Sequence, residues 1–272
     1  MRCTRPVLER CKTGPVEVIQ RPCGKCPACL ANKAQDWVYR LYAEEKLHAR
    51  SCFVTLTYDE EHVKKLVQSP TGLYSLSRKE AQDFMKRIRK AVYPVKVRFY
   101  LAGEYGENTK RAHFHVLLFG IGPESREIIE KAWNRGFVQV GNVSPSSIAY
   151  VARYCVKKLY KDSEEYKALG LEPEFCLMSR NPGIGFNALR KGLRRTEDGQ
   201  YFVWYQGQRH RAPRYFVDKV RTGFERYVAR CLSVSTADER SRDYENSGRS
   251  ELEESKQAER NALAARKSRN KV

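Results

Sequence analysis

The order of strand-like and helix-like segments between residues 51 and 161 constrains the fold of this chain more than any other feature. Apolar patterns typical of β-strands occur at 51–58, 96–104, 111–120 and 136–141. Patterns with apolar residues three and four apart, typical of amphipathic helices, occur at 77–92, 124–134 and 144–161. Along the chain the order is therefore β-α-β-β-α-β-α.

This order is the split βαβ arrangement of ferredoxin-like domains with one helix added. We therefore predict an α+β fold with a central antiparallel sheet. A further helix is predicted at about 30–49, a turn at 180–185 and a hairpin at 201–216. The predicted segments are a Cys-rich N-terminal segment 1–29, a core 30–165, an accessory region 166–235 and a charged tail 236–272, disordered or helical.

The net charge restricts the class of partner. The chain carries +19, and residues 236–272 hold 9 Lys/Arg and 8 Asp/Glu, so residues 1–235 keep 42 Lys/Arg and 24 Asp/Glu, a net +18. A basic folded part favours a polyanion, most often nucleic acid. No apolar run approaches the ~20 residues of a membrane span. No signal peptide is recognisable, so a reducing cytoplasm is expected.

Two histidines begin the third predicted strand, in the stretch "RAHFHVLLFG". Side chains alternate along a strand, so His113 and His115 share one face, while Phe114 and Val116 point to the other face and a core. Two imidazoles about 7 Å apart can bind one metal ion. The alternative is that each histidine only forms a hydrogen bond near a strand end.

A carboxylate completes the predicted metal site. The partner strand of the hairpin ends in Glu104, which the turn brings back beside the histidines, and Glu107 is a weaker candidate. Two imidazoles and one carboxylate suit a divalent ion with open positions. With nucleic acid as substrate, Mg²⁺ or Mn²⁺ is favoured over zinc.

The helix "IAYVARYCVKKLYK" (148–161) has two different faces. At about 100° per residue, Tyr150, Tyr154, Lys157 and Lys161 lie on one side and the apolar residues on the other. Two phenols with lysines beside them could serve phosphoryl chemistry next to the metal ligands. The alternative is an amphipathic helix with tyrosines at its solvated edge.

The N-terminal cysteines suggest a second metal site. The chain has nine cysteines, an odd number that argues against a disulfide scaffold. Cys23, Cys26 and Cys29 form C-x₂-C-x₂-C, which suggests structural zinc with Cys3 or Cys11 as the fourth ligand. Free thiols and an iron–sulfur cluster are the alternatives.

The motifs together resemble a known family. "CFVTLTY", "RAHFHVLLFG" and "AYVARYCVKK" resemble the three ordered motifs of HUH endonucleases, which start rolling-circle DNA replication. "PCGKCPAC", "GEYGE", "YVARY-x-x-KK" and "MSRNPGIG" resemble the replication initiators of gokushovirus-type microviruses, over about residues 20–220. The resemblance implies an HUH endonuclease core.

The resemblance also implies an activity, that of a metal-dependent, site-specific DNA endonuclease and ligase of a bacteriophage. A tyrosine attacks single-stranded or supercoiled phage origin DNA, leaving a 5′-phosphotyrosine and a free 3′-OH primer, and unit-length circles are later cut and rejoined. The implied partners are the origin DNA, a host helicase and a host DNA polymerase, in the cytoplasm of the bacterial host. The implied catalytic residues are Tyr150, Tyr154, Lys157 and Lys158, with Glu104, His113 and His115 as metal ligands.

Two other functions compete with this interpretation. A basic ferredoxin-like protein could hold single-stranded nucleic acid without cutting it, using aromatic side chains on the sheet. That function does not need the pairing of Tyr150 with Tyr154. A phosphoesterase with two H-x-[ST] strands is disfavoured, because His48, His62 and His210 provide no such motif.

Overall fold

A computed structural model describes residues 3–10, 18–106, 109–160, 163–197, 199–226 and 228. The described residues form two compact units. The larger unit is Ala34–Phe216, and the smaller combines the described residues up to Lys33 with those from Val217 onward. The predicted segment boundaries stay predictions, and the predicted tail 236–272 lies outside the described residues.

The elements follow one another in the order expected from the sequence, with several additions. The strands are β1 (Val7–Arg10), β2 (Val18–Arg21), β3 (Ser51–Tyr58), β4 (Arg98–Tyr105), β5 (Ala112–Phe119), β6 (Gly136–Asn142), β7 (Phe175–Met178), β8 (Arg194–Arg195), β9 (Tyr201–Tyr205) and β10 (Gln208–Arg211). The helices are α1 (Pro27–Glu45), α2 (Glu60–Val63), α3 (Arg78–Ala91), α4 (Arg126–Trp133), α5 (Pro145–Tyr160), α6 (Ser163–Ala168), α7 (Phe186–Gly192) and α8 (Arg214–Val220).

The central sheet confirms the predicted α+β fold. Its five strands have the order β6-β3-β5-β4-β7, and every neighbouring pair is antiparallel. The four predicted strands occupy the first four positions. Strand β7 was not predicted; it pairs with β4 at the other edge, for example Leu101 with Leu177.

One face of the sheet packs on α3 and α4. In β5, Phe114 and Val116 are fully buried in this core, as their alternation with the histidines predicts. The ring of Phe114 lies 5.7 Å from that of Trp133 in α4. Helix α3 begins at the predicted cap, where the Ser77 hydroxyl accepts a hydrogen bond from the Glu80 amide at 3.2 Å.

Helix α5 covers part of the opposite face, on which the histidines lie. Its first turn is capped as predicted, because the Ser144 hydroxyl accepts a hydrogen bond from the Ser147 amide at 3.1 Å. Ile148, Val151 and Ala152 are buried, and the helix contacts β4, β5 and β7. The predicted apolar face of α5 therefore anchors it against the sheet.

A buried carboxylate ties α1 to the "NPGIG" turn. Glu44 accepts hydrogen bonds from His48 at 3.1 Å, from Arg98, and from the Gly185 amide at 2.6 Å. Burial favours a raised pKa for Glu44, but these hydrogen bonds outweigh it and lower the pKa. Gly185 has φ +75°, and a Cβ there would lie 2.5 Å from the carbonyl oxygen of Arg40.

Three predicted boundaries were wrong. Helix α4 ends at Asn134, which adopts the left-handed conformation, rather than near Gly136, which begins β6. Helix α1 covers Pro27–Glu45 instead of 30–49. The hairpin at 201–216 ends at Arg211, since Pro213 has no amide hydrogen for a strand ladder and α8 follows it. Across the described residues, no helix is both long and apolar enough to cross a membrane.

Candidate active site

Strand register places Glu104, His113 and His115 together. Glu104 of β4 lies directly opposite His113 of β5, and on its other side His113 pairs with Thr57 of β3. His115, two residues further along β5, lies on the same face. The hairpin therefore returns the carboxylate to the histidines as the sequence predicts.

The three side chains meet at one point. Glu104 Oε1 lies 2.8 Å from His113 Nε2 and 3.0 Å from His115 Nε2. One ligand atom from each residue lies within 4.8 Å of the other two. Glu104 is 4% exposed and His115 6%, so the cluster is largely shielded from solvent.

The other ring nitrogens of the histidines are also held. His113 Nδ1 lies 3.1 Å from the carbonyl oxygen of Arg111, which only accepts, so Nδ1 donates and Nε2 keeps its lone pair in the neutral ring. His115 Nδ1 lies 3.1 Å from the Thr55 hydroxyl. Histidines that bind metals typically have their second nitrogen hydrogen-bonded in this way.

The donor set fits a divalent cation. Ligand bonds of about 2.0–2.1 Å at right angles put neighbouring ligand atoms about 3 Å apart, close to the 2.8 and 3.0 Å measured here. A carboxylate between two neutral imidazoles offers three donors and leaves further positions open for substrate oxygens. Glu104, His113 and His115 are therefore a candidate site for one metal ion.

Both predicted tyrosines reach this cluster. The Tyr150 hydroxyl lies 3.3 Å from His115 Nε2. The Tyr154 ring stacks on the His115 ring, with centroids 5.6 Å apart and planes 15° apart, and lies 5.1 Å from the Tyr150 ring. Tyr150 is 39% exposed, while Tyr154 is partly buried. The tyrosines therefore lie against the histidines, not merely at a solvated edge.

The electrostatics of the cluster affect two groups in opposite ways. Burial favours a raised pKa for Glu104, but hydrogen bonds from His113, His115 and Tyr154 lower that pKa well below its usual range. Burial raises the pKa of Tyr154, and its contacts with Tyr150 and the negative charge of Glu104 raise it further. Glu104 is therefore ionised at neutral pH, and Tyr154 is protonated.

The other predicted residues of this site are not all described. Lys157 and Lys158 lie on α5, but their side chains are outside the described part of the structure. Glu107 and Lys161 also lie outside the described residues. The predicted roles of these four residues stay predictions.

The structure also brings the four predicted N-terminal cysteines together. The sulfur atoms of Cys3, Cys23, Cys26 and Cys29 all lie within 4.8 Å of one another. The other candidate, Cys11, is outside the described residues. This cluster belongs to the smaller unit, whereas the Glu104 cluster belongs to the larger one.

Two further residues of the histidine face were missed. Thr55, which contacts His115, could have been found from the alternation of "TLT", which predicts Thr55 and Thr57 on one face of β3. Phe137 of β6 lies opposite Thr57, in the same cross-strand row as His113 and Glu104, and is 69% exposed. An exposed phenylalanine in this row can stack against a nucleic-acid base.

Comparisons with known proteins agree with the resemblance seen in the motifs. Residues 51–159 match the family model of the ORF2-type replication-associated proteins. The chain is 29% identical over 217 residues to replication-associated protein VP4 of Bdellovibrio phage phiMH2K, and 29% over 215 residues to replication-associated protein ORF2 of Spiroplasma virus 4. It is also 29% identical over 225 residues to replication-associated protein ORF4 of Chlamydia phage 1.

The extent of these matches differs between the two partners. They cover 72%, 72% and 74% of this chain, but only 66%, 66% and 53% of the respective relatives, which is less than two thirds of their length. No solved structure matches the chain. The predicted similarity to phage replication proteins is confirmed.

Proposed function

We propose that this chain, whose residues 51–159 match the family of ORF2-type replication-associated proteins, is a phage replication initiator that nicks single-stranded origin DNA by tyrosine attack. One observation carries the proposal. Two tyrosines of α5, Tyr150 and Tyr154, lie against a cluster of one carboxylate and two histidines. A nucleic-acid-binding protein without catalysis has no need of such an arrangement.

The carboxylate and the imidazoles would hold Mg²⁺ or Mn²⁺ at Glu104, His113 and His115. A bound divalent ion would withdraw electron density from a phosphate and stabilise the charge that develops on its oxygens. The protein fixes this position through strand register and through the hydrogen bonds on His113 Nδ1 and His115 Nδ1. The scissile phosphate then lies beside both tyrosine hydroxyls.

The proposed reaction is a transesterification. The hydroxyl oxygen of a tyrosine forms a bond to phosphorus, and the bond from phosphorus to the 3′ oxygen breaks. The phenolic proton passes to solvent, which reaches the exposed Tyr150, and the departing 3′ oxygen takes a proton to become the free 3′-OH primer. The 5′ phosphate stays on the tyrosine. Lys157 and Lys158 are proposed to stabilise the charge on the phosphate.

Two adjacent tyrosines support a relay. While one tyrosine holds the 5′ end, the other can cut the regenerated origin, since their rings are 5.1 Å apart. Attack of the new 3′-OH on the existing phosphotyrosine then joins the ends of a unit-length circle. No net bond energy is lost, so the same site cuts and ligates.

The substrate and partners follow from charge and from the relatives. Residues 1–235 carry +18, which favours DNA. The relatives are named as proteins of phages, which supports action in the cytoplasm of a bacterial host. A host helicase and a host DNA polymerase are proposed as partners, because a free 3′-OH requires both strand separation and extension.

The test is covalent trapping of a 3′-labelled single-stranded oligonucleotide, carrying the phage origin, on a denaturing gel in Mn²⁺. The label is at the 3′ end because that fragment keeps the 5′ phosphate bound to tyrosine. We expect Tyr150→Phe and Tyr154→Phe each to keep some single-round cleavage, because the other phenol remains beside the site. Neither should release unit-length circles over successive rounds. The double variant should form no adduct yet still bind DNA, because phenylalanine keeps the packing and lacks the hydroxyl.

A matched control is Tyr93→Phe, since Tyr93 is 84% exposed and lies before the opposite end of β4 from Glu104. This variant should behave as wild type. An adduct formed by the double variant would place the nucleophile elsewhere, at Tyr160 or Tyr166. DNA binding by the wild type with no cleavage under any divalent ion would favour a non-catalytic nucleic-acid-binding protein.

A further inference from the structure

The four cysteines of the smaller unit lie outside the proposed nuclease site, and three different segments contribute them. Cys3 precedes β1, while Cys23 and Cys26 lie in the turn between β2 and α1. Cys29 lies in the first turn of α1. Strands β1 and β2 are antiparallel, with Val7 opposite Arg21, and this pairing returns the chain so that Cys3 lies beside Cys23.

The spacing of the sulfur atoms matches a single tetrahedral ion. Zinc–sulfur bonds of about 2.3 Å in a tetrahedron place the sulfur atoms about 3.8 Å apart. Cys26 Sγ lies 3.8 Å from Cys3 Sγ, and all four sulfur atoms lie within 4.8 Å of one another. A disulfide needs sulfur atoms about 2.05 Å apart, so the Cys3–Cys26 spacing fits ligands of a shared ion and not a covalent pair.

Backbone amides point at these sulfur atoms as they do at metal-bound thiolates. The Cys23 amide donates to Cys3 Sγ at 3.2 Å, and the Cys26 amide donates to Cys23 Sγ at 3.2 Å. The Lys25 amide also donates to Cys23 Sγ, at 3.5 Å. Gly24, at φ +74°, permits the tight turn that aims the last two amides. Such hydrogen bonds stabilise negative sulfur and orient it toward a metal.

The surroundings of the cluster provide little other stabilisation. The buried side chains packed around the sulfur atoms are Cys26, Cys29 and Ala28, with Cys3 and Cys23 partly buried against them. Strands β1 and β2 have four residues each, and Val7 and Leu8 are exposed. An isolated two-stranded hairpin is marginally stable in water, so an additional cross-link is required.

We propose that Cys3, Cys23, Cys26 and Cys29 bind one structural Zn²⁺ that joins the β1–β2 hairpin to the start of α1. Four thiolates complete the tetrahedron and leave no position for substrate, so this ion stabilises the fold and takes no part in DNA cleavage. Because binding requires the folded arrangement of all four ligands, its binding energy is folding energy for this part of the chain. The site is independent of the proposed nuclease metal.

The test begins with the metal content of the full-length wild-type protein, purified without added zinc or chelator. We expect one zinc per chain by elemental mass spectrometry. Cobalt exchanged into the site should give the intense sulfur-to-cobalt absorption and tetrahedral d–d bands of a tetrathiolate. Glu104→Gln should leave both readouts unchanged, which separates this site from the nuclease metal.

Cys26→Ser tests the ligand assignment, and Cys176→Ser is the matched control, since Cys176 is a buried cysteine in β7 of the other unit. We expect Cys26→Ser to lose zinc and the cobalt spectrum, and Cys176→Ser to keep both. If Cys26→Ser does not fold, the wild-type metal content and cobalt spectrum still decide the question. Wild-type protein without zinc, with disulfides among these cysteines, or with iron and acid-labile sulfide would overturn the proposal.

Discussion

Replacing Glu104 with glutamine tests the candidate nuclease metal site without relying on DNA cleavage. The change keeps the size of the side chain and one oxygen acceptor, but removes the negative charge that lies 2.8 and 3.0 Å from the two imidazoles. The two neutral histidines and an amide then remain as ligands. Loss of the charged ligand should lower the affinity for Mn²⁺ by about 100-fold or more, since removing an outer hydrogen-bonding partner alone costs about 10–100-fold.

The consequence for stability follows from linkage. At free Mn²⁺ of about 100 times the wild-type dissociation constant, binding stabilises the folded protein by about 2.7 kcal/mol. A domain of this size gains about 2–4 °C in Tm per kcal/mol, so the wild type should gain about 5–10 °C. With affinity lowered about 100-fold, Glu104→Gln keeps about 0.4 kcal/mol, or about 1 °C.

The measurement is the Mn²⁺-dependent shift of Tm, together with calorimetric titration. Glu174→Gln is the matched control, because Glu174 is also a buried carboxylate and accepts a hydrogen bond from the Tyr105 amide at 3.2 Å without contacting the histidines. Its Mn²⁺ shift should equal that of the wild type. An equal shift and equal affinity in Glu104→Gln would refute the assignment of Glu104 as a metal ligand.

Four further predictions follow from the fold and the charge. Because Glu44 has a lowered pKa in the folded state, it stabilises the protein above its unfolded pKa of about 4.3 and loses this contribution as pH falls below that value; urea unfolding of Glu44→Gln should show less stability at neutral pH and a flatter pH dependence. Gly185→Ala should cost about 2–4 kcal/mol in the same assay, from the left-handed backbone and the close carbonyl, whereas Gly207→Ala, at φ +74° with open space around it, should cost about 1–2 kcal/mol. Phe137→Ala should weaken single-stranded DNA binding by about 1–3 kcal/mol in fluorescence anisotropy, and an unchanged affinity would rule out base stacking there. The affinity of the wild type for DNA should fall steeply between about 50 and 200 mM salt, and an affinity indifferent to salt would argue against phosphate contacts.

The local parts of the candidate site could be predicted from the sequence. Strand alternation places His113 and His115 on one face, and a short hairpin returns Glu104, nine residues away, to the position opposite His113. Helical periodicity places Tyr150 and Tyr154 on one face of α5. These results depend on the regular geometry of strands and helices, which a pattern of a few residues reveals.

The long-range contacts were decided by tertiary packing. The stacking of Tyr154 on His115, the contact of Thr55 with His115 across 60 residues, and the approach of Cys3 to Cys23 depend on how elements dock. The addition of β7 to the sheet edge was equally hidden, because four residues carry too short a pattern to distinguish a strand. Periodicity determines which side of an element is apolar, whereas the element it packs against is chosen by the complementarity of two surfaces distant in the chain.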